Sequence, residues 1–257
     1  MKNIIIVGYP KSGCTWIARL TAELVNCPVA GFWPSCVNEI GCEGSRRDSE
    51  YRCFKAHHQF QNLDLQRRKG KCFIIYVMRD PRDIAVSGSR YFDFVNKKYR
   101  KILLKIPYGL GIYRRTIGKL IPSQKEKLDR VIQDLLYGKG TVGYWTNVSW
   151  KGHYKPYFDA GVLVVKYEDM LEFPERECKR ILEYLNINRD EKYIKKAIYK
   201  QSFGKKKRDL LKKFKFRKAM FLKSGKKGQW KIKLAAEHKQ KINEVLKEDL
   251  ELFLYES

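Results

Sequence analysis

The sequence lacks any apolar run long enough to cross a membrane or to form the core of a secretory signal. The first hydrophobic stretch, Ile4–Val7, is short, and Gly8 and Pro10 interrupt the residues that follow it. A membrane-spanning helix needs about 20 apolar residues, and the core of a signal peptide needs about 7 to 15. We therefore predict a cytoplasmic protein that is at most peripheral to a membrane.

Cysteine patterns that would indicate a disulfide framework or a metal site are also missing. The 7 cysteines form an odd number and include no Cys-x-x-Cys pair and no Cys/His spacing of a zinc site. This pattern favours reduced thiols and predicts no bound metal. One disulfide remains an open alternative among four cysteines that are close in sequence: Cys27, Cys36, Cys42 and Cys53.

Acidic residues are scarce relative to basic ones. There are 54 lysines and arginines against 28 aspartates and glutamates, which gives a formal net charge of +26. The excess is concentrated in 94–127 and 195–233, each of which contains a single acidic residue. Such a field favours an anionic partner, and a glycan, an acidic membrane surface and a nucleic acid remain alternatives to a merely solvated basic face. Aromatic residues interleaved with the basic ones in 195–233 are also typical of a groove for single-stranded nucleic acid.

The stretch with the most specific chemistry lies near the start of the chain. Residues 4–7 predict a β-strand, and apolar residues at helical spacing begin near Cys14. Between them lies the glycine-containing segment 8–13. A strand, a loop of this kind and a helix N-terminus form a cradle for a phosphate group, because unpaired backbone N–H groups converge there.

A nucleotide triphosphatase or kinase P-loop is the competing interpretation of this cradle. Gly8 and Gly13 have the spacing of G-x-x-x-x-G-K-[ST], and Thr15 occupies the hydroxyl position. Cys14, however, occupies the lysine position, and Lys11 is the only lysine in the loop. The sequence therefore favours a phosphate ester other than ATP.

The segment Tyr9-Pro-Lys-Ser-Gly-Cys-Thr-Trp16 resembles the 5′-phosphosulfate-binding loop of the cytosolic-type sulfotransferases, which usually reads Tyr-Pro-Lys-Ser-Gly-Thr-Thr-Trp. These enzymes use 3′-phosphoadenosine 5′-phosphosulfate (PAPS) and release PAP. Segments similar to further family motifs follow in the same order, over roughly residues 4 to 233: Lys55-x-His57, Arg79-x-x-x-Asp-x-Ala-x-Ser87, Tyr167-Glu-Asp, Gln201-Ser-Phe203 and Lys223-Ser-Gly-x-x-Gly-x-Trp-Lys231. The resemblance implies metal-independent transfer of a sulfuryl group from PAPS to a hydroxyl, with an amine as the alternative acceptor.

The resemblance also implies catalytic roles. His57 would be the general base, with His58 as the reserve candidate, since neutral imidazole titrates near pH 6.5 and accepts a hydroxyl proton. Lys11, helped by Lys55, would stabilise charge on the leaving phosphate, and Ser87 would steady Lys11.

The cofactor contacts implied by the resemblance fall into three groups. The 5′-phosphosulfate would be held by Lys11, Ser12, Gly13, Cys14, Thr15 and Trp16. The 3′-phosphate would be held by Arg79, Ser87, Lys223 and Gly225, and the adenine by Trp16, Tyr167 and Phe203.

These features together predict a single sulfotransferase domain over residues 1–257, with an α/β, three-layer P-loop-type fold. Its mainly parallel sheet would carry helices on both faces. We interpret 94–127 as a variable, basic insertion on the acceptor side, 195–233 as a basic cofactor lid, and 28–50 as an irregular loop. Helices are predicted over 124–137 and, as a final amphipathic helix, over about 235–252. The acceptor cannot be read from the sequence, because steroids, phenols, glycolipids and polysaccharides all suit this chemistry. The basic surface favours a glycan, a glycolipid or another anionic or amphipathic molecule.

Overall fold

The computed structural model describes residues 1–34, 44, 46–63, 71–92, 122–143, 146–212 and 225–256. The described strands are β1 (Lys2–Val7), β2 (Val29–Phe32), β3 (Tyr51–Ala56), β4 (Cys72–Met78) and β5 (Leu163–Lys166). The described helices are α1 (Cys14–Val25), α2 (Pro81–Tyr91), α3 (Gln124–Tyr137), α4 (Trp150–Asp159), α5 (Tyr167–Glu172), α6 (Pro174–Tyr184), α7 (Glu191–Gln201), α8 (Phe203–Lys212), α9 (Trp230–Lys233), α10 (Ala236–Val245) and α11 (Lys247–Leu252).

The chain divides into two compact units. The first comprises Met1–Asp80 and Gly152–Lys227, and the second comprises Pro81–Lys151 and Gly228–Ser257. Most of the predicted acceptor-side insertion, 94–127, lies outside the described residues. The assignment of one sulfotransferase domain to the whole chain stays a prediction.

The first unit contains a parallel sheet with the strand order β2-β3-β1-β4-β5. Every pairing among these strands is parallel. β1 and β4 are continuous apolar runs because both faces of such a sheet are covered. Ile4, Ile5 and Ile6 of β1 are accordingly all buried. The predicted α/β class with a parallel sheet is confirmed.

Helices of the first unit pack on both faces of this sheet. On one face, apolar side chains of α1, α6 and α7 form a core with residues such as Ile75 and Val77 of β4. Tyr76 points to the opposite face, because successive residues of a strand alternate. There its ring lies 5.0 Å from the ring of Tyr157, on the part of α4 that belongs to this unit. The predicted helical layers are therefore present.

Two expectations about local structure are wrong. Residues 28–50 are not irregular throughout, because Val29–Phe32 forms β2 and pairs with β3. The four residues of β2 have little local preference for a strand. They form one because they pair with β3, and such pairing cannot be read from strand propensity alone. The single final helix expected over 235–252 is divided into α10 and α11, which meet at Leu246.

In the second unit, the helix predicted over 124–137 is confirmed with the same bounds. A capping box opens it: the Ser123 side chain accepts a hydrogen bond from the Glu126 N–H, and the Glu126 carboxylate accepts one from the Ser123 N–H. This reciprocal pairing satisfies two donors that the first turn would otherwise leave open.

Helix α2 anchors the start of α9 within the second unit. Asp83, which is buried, accepts hydrogen bonds from the backbone N–H groups of Gly228 at 2.7 Å and Trp230 at 3.0 Å. The guanidinium of the fully buried Arg82 lies 3.8 Å from the centre of the Trp230 ring. A charged acceptor and a cation–π contact thus fix this segment on α2.

Candidate active site

The loop between β1 and α1, residues 8–13, is called the phosphate loop below. It has the geometry of an anion cradle. Gly13 precedes α1 in a left-handed conformation, with φ of 98°. Lys11 is also left-handed, with φ of 77°, which is unusual for a residue that carries a Cβ atom. At Gly8, an added Cβ would lie 2.6 Å from the carbonyl oxygen of Val77, so the loop runs close against β4. The loop and the helix start therefore fold as the sequence predicts.

The donors that this loop offers match an anionic group. The N–H groups of Trp16 and Ile17 both bond to the Gly13 carbonyl, which closes the first turn of α1. The N–H groups of Cys14 and Thr15, at the very start of the helix, are among those that a helix cannot pair internally. Ser12 is buried, and its hydroxyl has no hydrogen-bond partner among the described residues. An oxygen of a phosphate or sulfate would satisfy such donors at the positive end of α1.

Cys14 contributes its backbone to this cradle but no reactive thiolate. Its side chain is buried, and its sulfur would lie 2.9 Å from a Cβ added to Gly8. Burial raises the pKa of Cys14 to about 12, although Lys55 and Lys11 lower it in part. Cys14, Cys27, Cys53, Cys72 and Cys178 are all free, whereas Cys36 and Cys42 lie outside the described residues. A disulfide between Cys27 and Cys53 is therefore absent.

His57, the predicted base, contacts the phosphate loop directly. It follows the last residue of β3, and its Nδ1 lies 2.7 Å from the carbonyl oxygen of Gly8. Since a carbonyl can only accept, Nδ1 carries the proton and Nε2 carries the lone pair of the neutral ring. Burial, followed by the charge of Lys55, lowers the pKa of His57 well below its usual value. The ring is therefore neutral at physiological pH, with its basic nitrogen defined.

Lys55 and His58, the other two candidate catalytic residues of this segment, are also described by the structure. Lys55 lies in β3, and its ammonium is 4.4 Å from the centre of the Phe32 ring. Burial lowers the pKa of His58, so this second imidazole is also neutral. The choice of His57 over His58 as the base stays a prediction.

Two aromatic residues predicted to hold adenine, Trp16 and Tyr167, lie beside the same loop. An added Cβ at Gly13 would be 2.6 Å from the Tyr167 ring, so only glycine fits under this tyrosine. The rings of Trp16 and Tyr167 meet edge to face at 5.5 Å, and Trp16 Nε1 donates to the Gln201 carbonyl at 3.0 Å. Phe203 packs in the same close manner on Gly225.

Arg79, predicted to bind the 3′-phosphate, joins several parts of the first unit. Its guanidinium lies 4.3 Å from the centre of the Tyr167 ring. Its Nη1 donates to the Lys11 carbonyl at 3.0 Å, and its Nη2 donates to the Lys226 carbonyl at 3.4 Å. Arg79 thus contacts the phosphate loop, the Tyr167 ring and Lys226 of the predicted lid.

Two further predicted site residues lie outside the described part of the first unit. Ser87 lies on α2, in the second unit. Lys223 lies outside the described residues, although Gly225 is described. The roles of both residues stay predictions.

Three buried polar residues of the first unit were not predicted as site residues. His153 and Tyr157 of α4 bond to the backbone carbonyls of His57 and His58. Glu168 accepts a hydrogen bond from the Asp80 N–H at 3.1 Å, and burial raises its pKa to about 7. The only signal for the first pair is their spacing of four, which places both side chains on one helical face.

Two kinds of feature are absent from the described residues. No group of three or more His, Cys, Asp or Glu side chains there is arranged to hold a metal ion. Nor is any helix within the described ranges long and apolar enough to cross a membrane.

Comparison with known proteins places the chain in a family. The model of the sulfotransferase domain family matches residues 1–253. Sulfotransferase 1B1 of the dog is 22% identical over an alignment of 271 positions, which covers 96% of this chain and 83% of that protein. The crystal structure of mouse sulfotransferase SULT7A1 complexed with PAP is similar with a TM-score of 0.65 and 22% identity, covering 97% of this chain and 85% of that chain. A retinol dehydratase structure with androsterone and the inactive cofactor PAP is similar with a TM-score of 0.63 and 17% identity, covering 96% of this chain and 80% of that one. The chain therefore belongs to the sulfotransferase domain family and is a transferase of sulfur-containing groups.

Proposed function

We propose that this enzyme transfers the sulfuryl group of PAPS to an acceptor hydroxyl, with His57 as the general base. The observation that carries the proposal is the 2.7 Å hydrogen bond between His57 Nδ1 and the Gly8 carbonyl. It attaches the base to the loop that offers the anion donors. The nitrogen that accepts the proton and the groups that hold the sulfate therefore belong to one corner of the sheet.

The residues of the loop suit the cofactor. The buried Ser12 hydroxyl and the N–H groups of Cys14 and Thr15 are donors for the 5′-phosphosulfate, as are the Lys11 side chain and the Gly13 N–H. When bound, PAPS supplies the sulfuryl group together with a good phosphate leaving group. The support for this cofactor from outside the chain is that the similar mouse sulfotransferase was crystallised with PAP.

The chain contributes proton transfer and charge. Nε2 of His57 takes the proton from the acceptor hydroxyl as that oxygen bonds to sulfur, because its lone pair is defined by the Nδ1–H bond to Gly8. Lys11, supported by Lys55, would stabilise the negative charge that develops on the leaving phosphate when PAPS gives up its sulfuryl group. The role proposed for Ser87 is to steady Lys11 before the substrates bind. No carboxylate or metal is assigned a step.

The remaining cofactor contacts use the aromatic cluster and Arg79. Trp16, Tyr167 and Phe203 would enclose the adenine. Gly13 lets the Tyr167 ring approach the phosphate loop closely, and Gly225 lets the Phe203 ring approach the predicted lid closely. Arg79, Ser87, Lys223 and Gly225 would bind the 3′-phosphate. A guanidinium suits this dianion because its donors form a planar fork.

The acceptor is proposed to be a hydroxyl compound with anionic or amphipathic character, such as a glycan or a glycolipid. The support is the basic surface of the first unit, where α7 and α8 carry exposed basic residues: Lys192, Lys195, Lys196, Lys200, Lys207, Arg208 and Lys212. The same charge would suit an anionic membrane surface, whereas a nucleic acid is the less favoured partner. We further propose that the two compact units act together as one cytoplasmic sulfotransferase domain, because the family model extends over both.

Calorimetric titration with PAP, with ATP and Mg²⁺ as the control, tests the cofactor. We expect one PAP per chain and no response to ATP. Transfer from radiolabelled PAPS to phenol, androsterone and a glycan at two salt concentrations then tests the acceptor class. The rate of transfer to an anionic acceptor should fall steeply as the salt concentration rises, since salt screens the attraction between the acceptor and the basic surface. Absence of PAP binding, or binding of ATP in its place, would refute the proposed function.

His57→Ala and His58→Ala form the matched pair for the base. We expect His57→Ala to abolish transfer and leave PAP binding nearly unchanged, because the cradle donors are on the loop. If His58→Ala abolished transfer and His57→Ala did not, the base would be His58.

A further inference from the structure

Two side chains of α4 hold the backbone that carries both candidate bases. His153 Nε2 lies 3.2 Å from the carbonyl oxygen of His57, and the Tyr157 hydroxyl lies 2.7 Å from the carbonyl oxygen of His58. Their rings stack with 5.8 Å between centroids, and both side chains are fully buried. Two successive carbonyls are thus bonded by two neighbouring donors on a single helical face.

The need for these donors follows from where the sheet pairing stops. The ladder between β1 and β3 ends at the pair of Val7 and Ala56. His57 and His58 follow directly and lie beyond the end of that ladder. A buried carbonyl that loses its bonding partner is costly, so side-chain donors must replace the strand. Helix α4 supplies them and so defines the path of the chain at the base.

The direction of each hydrogen bond fixes the state of the His153 ring. Because the His57 carbonyl only accepts, Nε2 of His153 carries the proton. Nδ1 of the same ring then accepts from the Tyr76 hydroxyl, 2.9 Å away. Both nitrogens are engaged, which leaves one tautomer in one orientation. β4 therefore orients His153 through Tyr76, and His153 in turn orients the residue that carries the base.

The same ring also contacts the phosphate loop. The ring of Tyr9 meets His153 edge to face, with centroids 5.7 Å apart. The loop is bonded to the base from the other side, through His57 Nδ1 and the Gly8 carbonyl. His153 therefore contacts both the phosphate loop, through Tyr9, and the residue that carries the base, through the His57 carbonyl. These two contacts fix the distance between the loop and the base.

We propose that His153 is a positioning residue for sulfuryl transfer: its bond to the His57 carbonyl, together with the bond of Tyr157 to the next carbonyl, sets the direction in which Nε2 of His57 meets the acceptor hydroxyl. This inference rests on the proposed role of His57 as the base. It assigns His153 no contact with substrate.

Two substitutions of similar size separate the donor from the bulk of the ring. His153→Gln places an amide N–H near the position of Nε2 and keeps a donor for the His57 carbonyl. His153→Asn ends near the position of Nδ1 and is too short to reach that carbonyl. We expect the asparagine variant to lower kcat about 10- to 100-fold with little change in the KM for PAPS, since a misplaced catalytic group can cost about 100-fold. The glutamine variant should recover most of the rate.

His238→Asn is the matched control for loss of a buried histidine. His238 is 6% exposed and bonds through Nε2 to Asp129 at 2.9 Å, in the second unit. It occupies no proposed position in the site. We expect its kcat for radiolabelled PAPS and phenol to stay within about twofold of the parent enzyme, since it alters no bond at the base.

The second readout does not depend on the acceptor. The chain contains 4 histidines, so the imidazole nitrogen signals of isotope-labelled protein can be assigned by single substitution. In the PAP complex, His57 should carry its proton on Nδ1 in the parent enzyme and in His153→Gln. In His153→Asn, we expect His57 to show a mixture of tautomers, because its bond to Gly8 is no longer held in place. A purely structural role would lower stability without changing this signature.

The outcomes distinguish the two proposals. If His57→Ala retained transfer, the base assignment itself would fail, and the positioning role with it. If His57→Ala abolished transfer while His153→Asn behaved as His238→Asn does in both rate and tautomer, positioning by His153 would be refuted and the base would stand. A folded glutamine variant as slow as the asparagine variant would also contradict the donor role.

Discussion

Gly13 is the position where one added methyl group tests the contact between the phosphate loop and Tyr167. Its φ is 98°, and a Cβ atom there would lie 2.6 Å from Cδ2 and 2.9 Å from Cε2 of the tyrosine ring. Gly13→Ala therefore introduces backbone strain and a steric clash at once. The ring cannot remain in place, so the substitution should weaken both the fold and the proposed adenine site.

The size of the effect follows from these two contributions. Holding a residue with a Cβ atom in the left-handed region costs about 1–2 kcal/mol. Forcing an extra methyl group into a packed site costs about 1–3 kcal/mol. We expect Gly13→Ala to lower the free energy of unfolding by about 2–5 kcal/mol.

Two other glycines separate the contributions. Gly161 is left-handed, with φ of 66°, but an added Cβ would meet no described atom within 4 Å, so alanine there adds strain alone. At Gly143 the φ is not left-handed and no described atom lies within 4 Å of an added Cβ, so alanine there adds neither strain nor a clash. We expect losses of about 1–2 kcal/mol for Gly161→Ala and within about 0.5 kcal/mol of zero for Gly143→Ala.

Urea unfolding of the three variants measures stability, and calorimetry measures PAP affinity. Gly13→Ala should be the only one of the three that lowers PAP affinity. If it cost no more stability than Gly161→Ala and bound PAP normally, the Tyr167 ring would not constrain the loop, and the packing argument would be wrong.

Three further predictions concern buried groups. Because burial raises the pKa of Cys14 to about 12, iodoacetamide should modify this thiol only after denaturation. Mass spectrometry of native protein alkylated at pH 8 tests this, and a label on Cys14 would contradict it. Burial lowers the pKa of His153 from 6.5 to about 4, so the unfolded chain binds a proton at a pH where the folded chain does not. Stability should therefore fall as the pH drops through that window, by about 3 kcal/mol from this residue, and His153→Gln should flatten the curve measured by urea unfolding at several pH values. Asp83→Ala removes the acceptor for the N–H groups of Gly228 and Trp230 and should lower the free energy of unfolding by about 3 kcal/mol. An unchanged midpoint of urea unfolding would contradict this and would mean that water replaces the carboxylate.

Local sequence patterns were sufficient to predict several of the longer strands and helices. The apolar runs of β1 and β4 predicted buried parallel strands, because strands covered on both faces have no polar alternation. The helix start near Cys14 followed from the turn residues before it, and the capping pair Ser123 and Glu126 marks the start of α3. Such signals act over a few residues, so they can be read without knowing the fold. Short elements such as β2 escaped this reading, because pairing with a distant strand forms them.

The sequence by itself predicted an anion cradle between β1 and α1 and an α/β protein of the sulfotransferase type. Only the tertiary structure decided which nitrogen of His57 carries its proton, because the Gly8 carbonyl that accepts it lies 49 positions away in the chain. Only the fold, likewise, brought His153 to the His57 carbonyl across 96 positions. Local patterns encode which backbone a segment prefers, whereas the state of a buried imidazole depends on the partners that the completed packing brings within hydrogen-bonding distance.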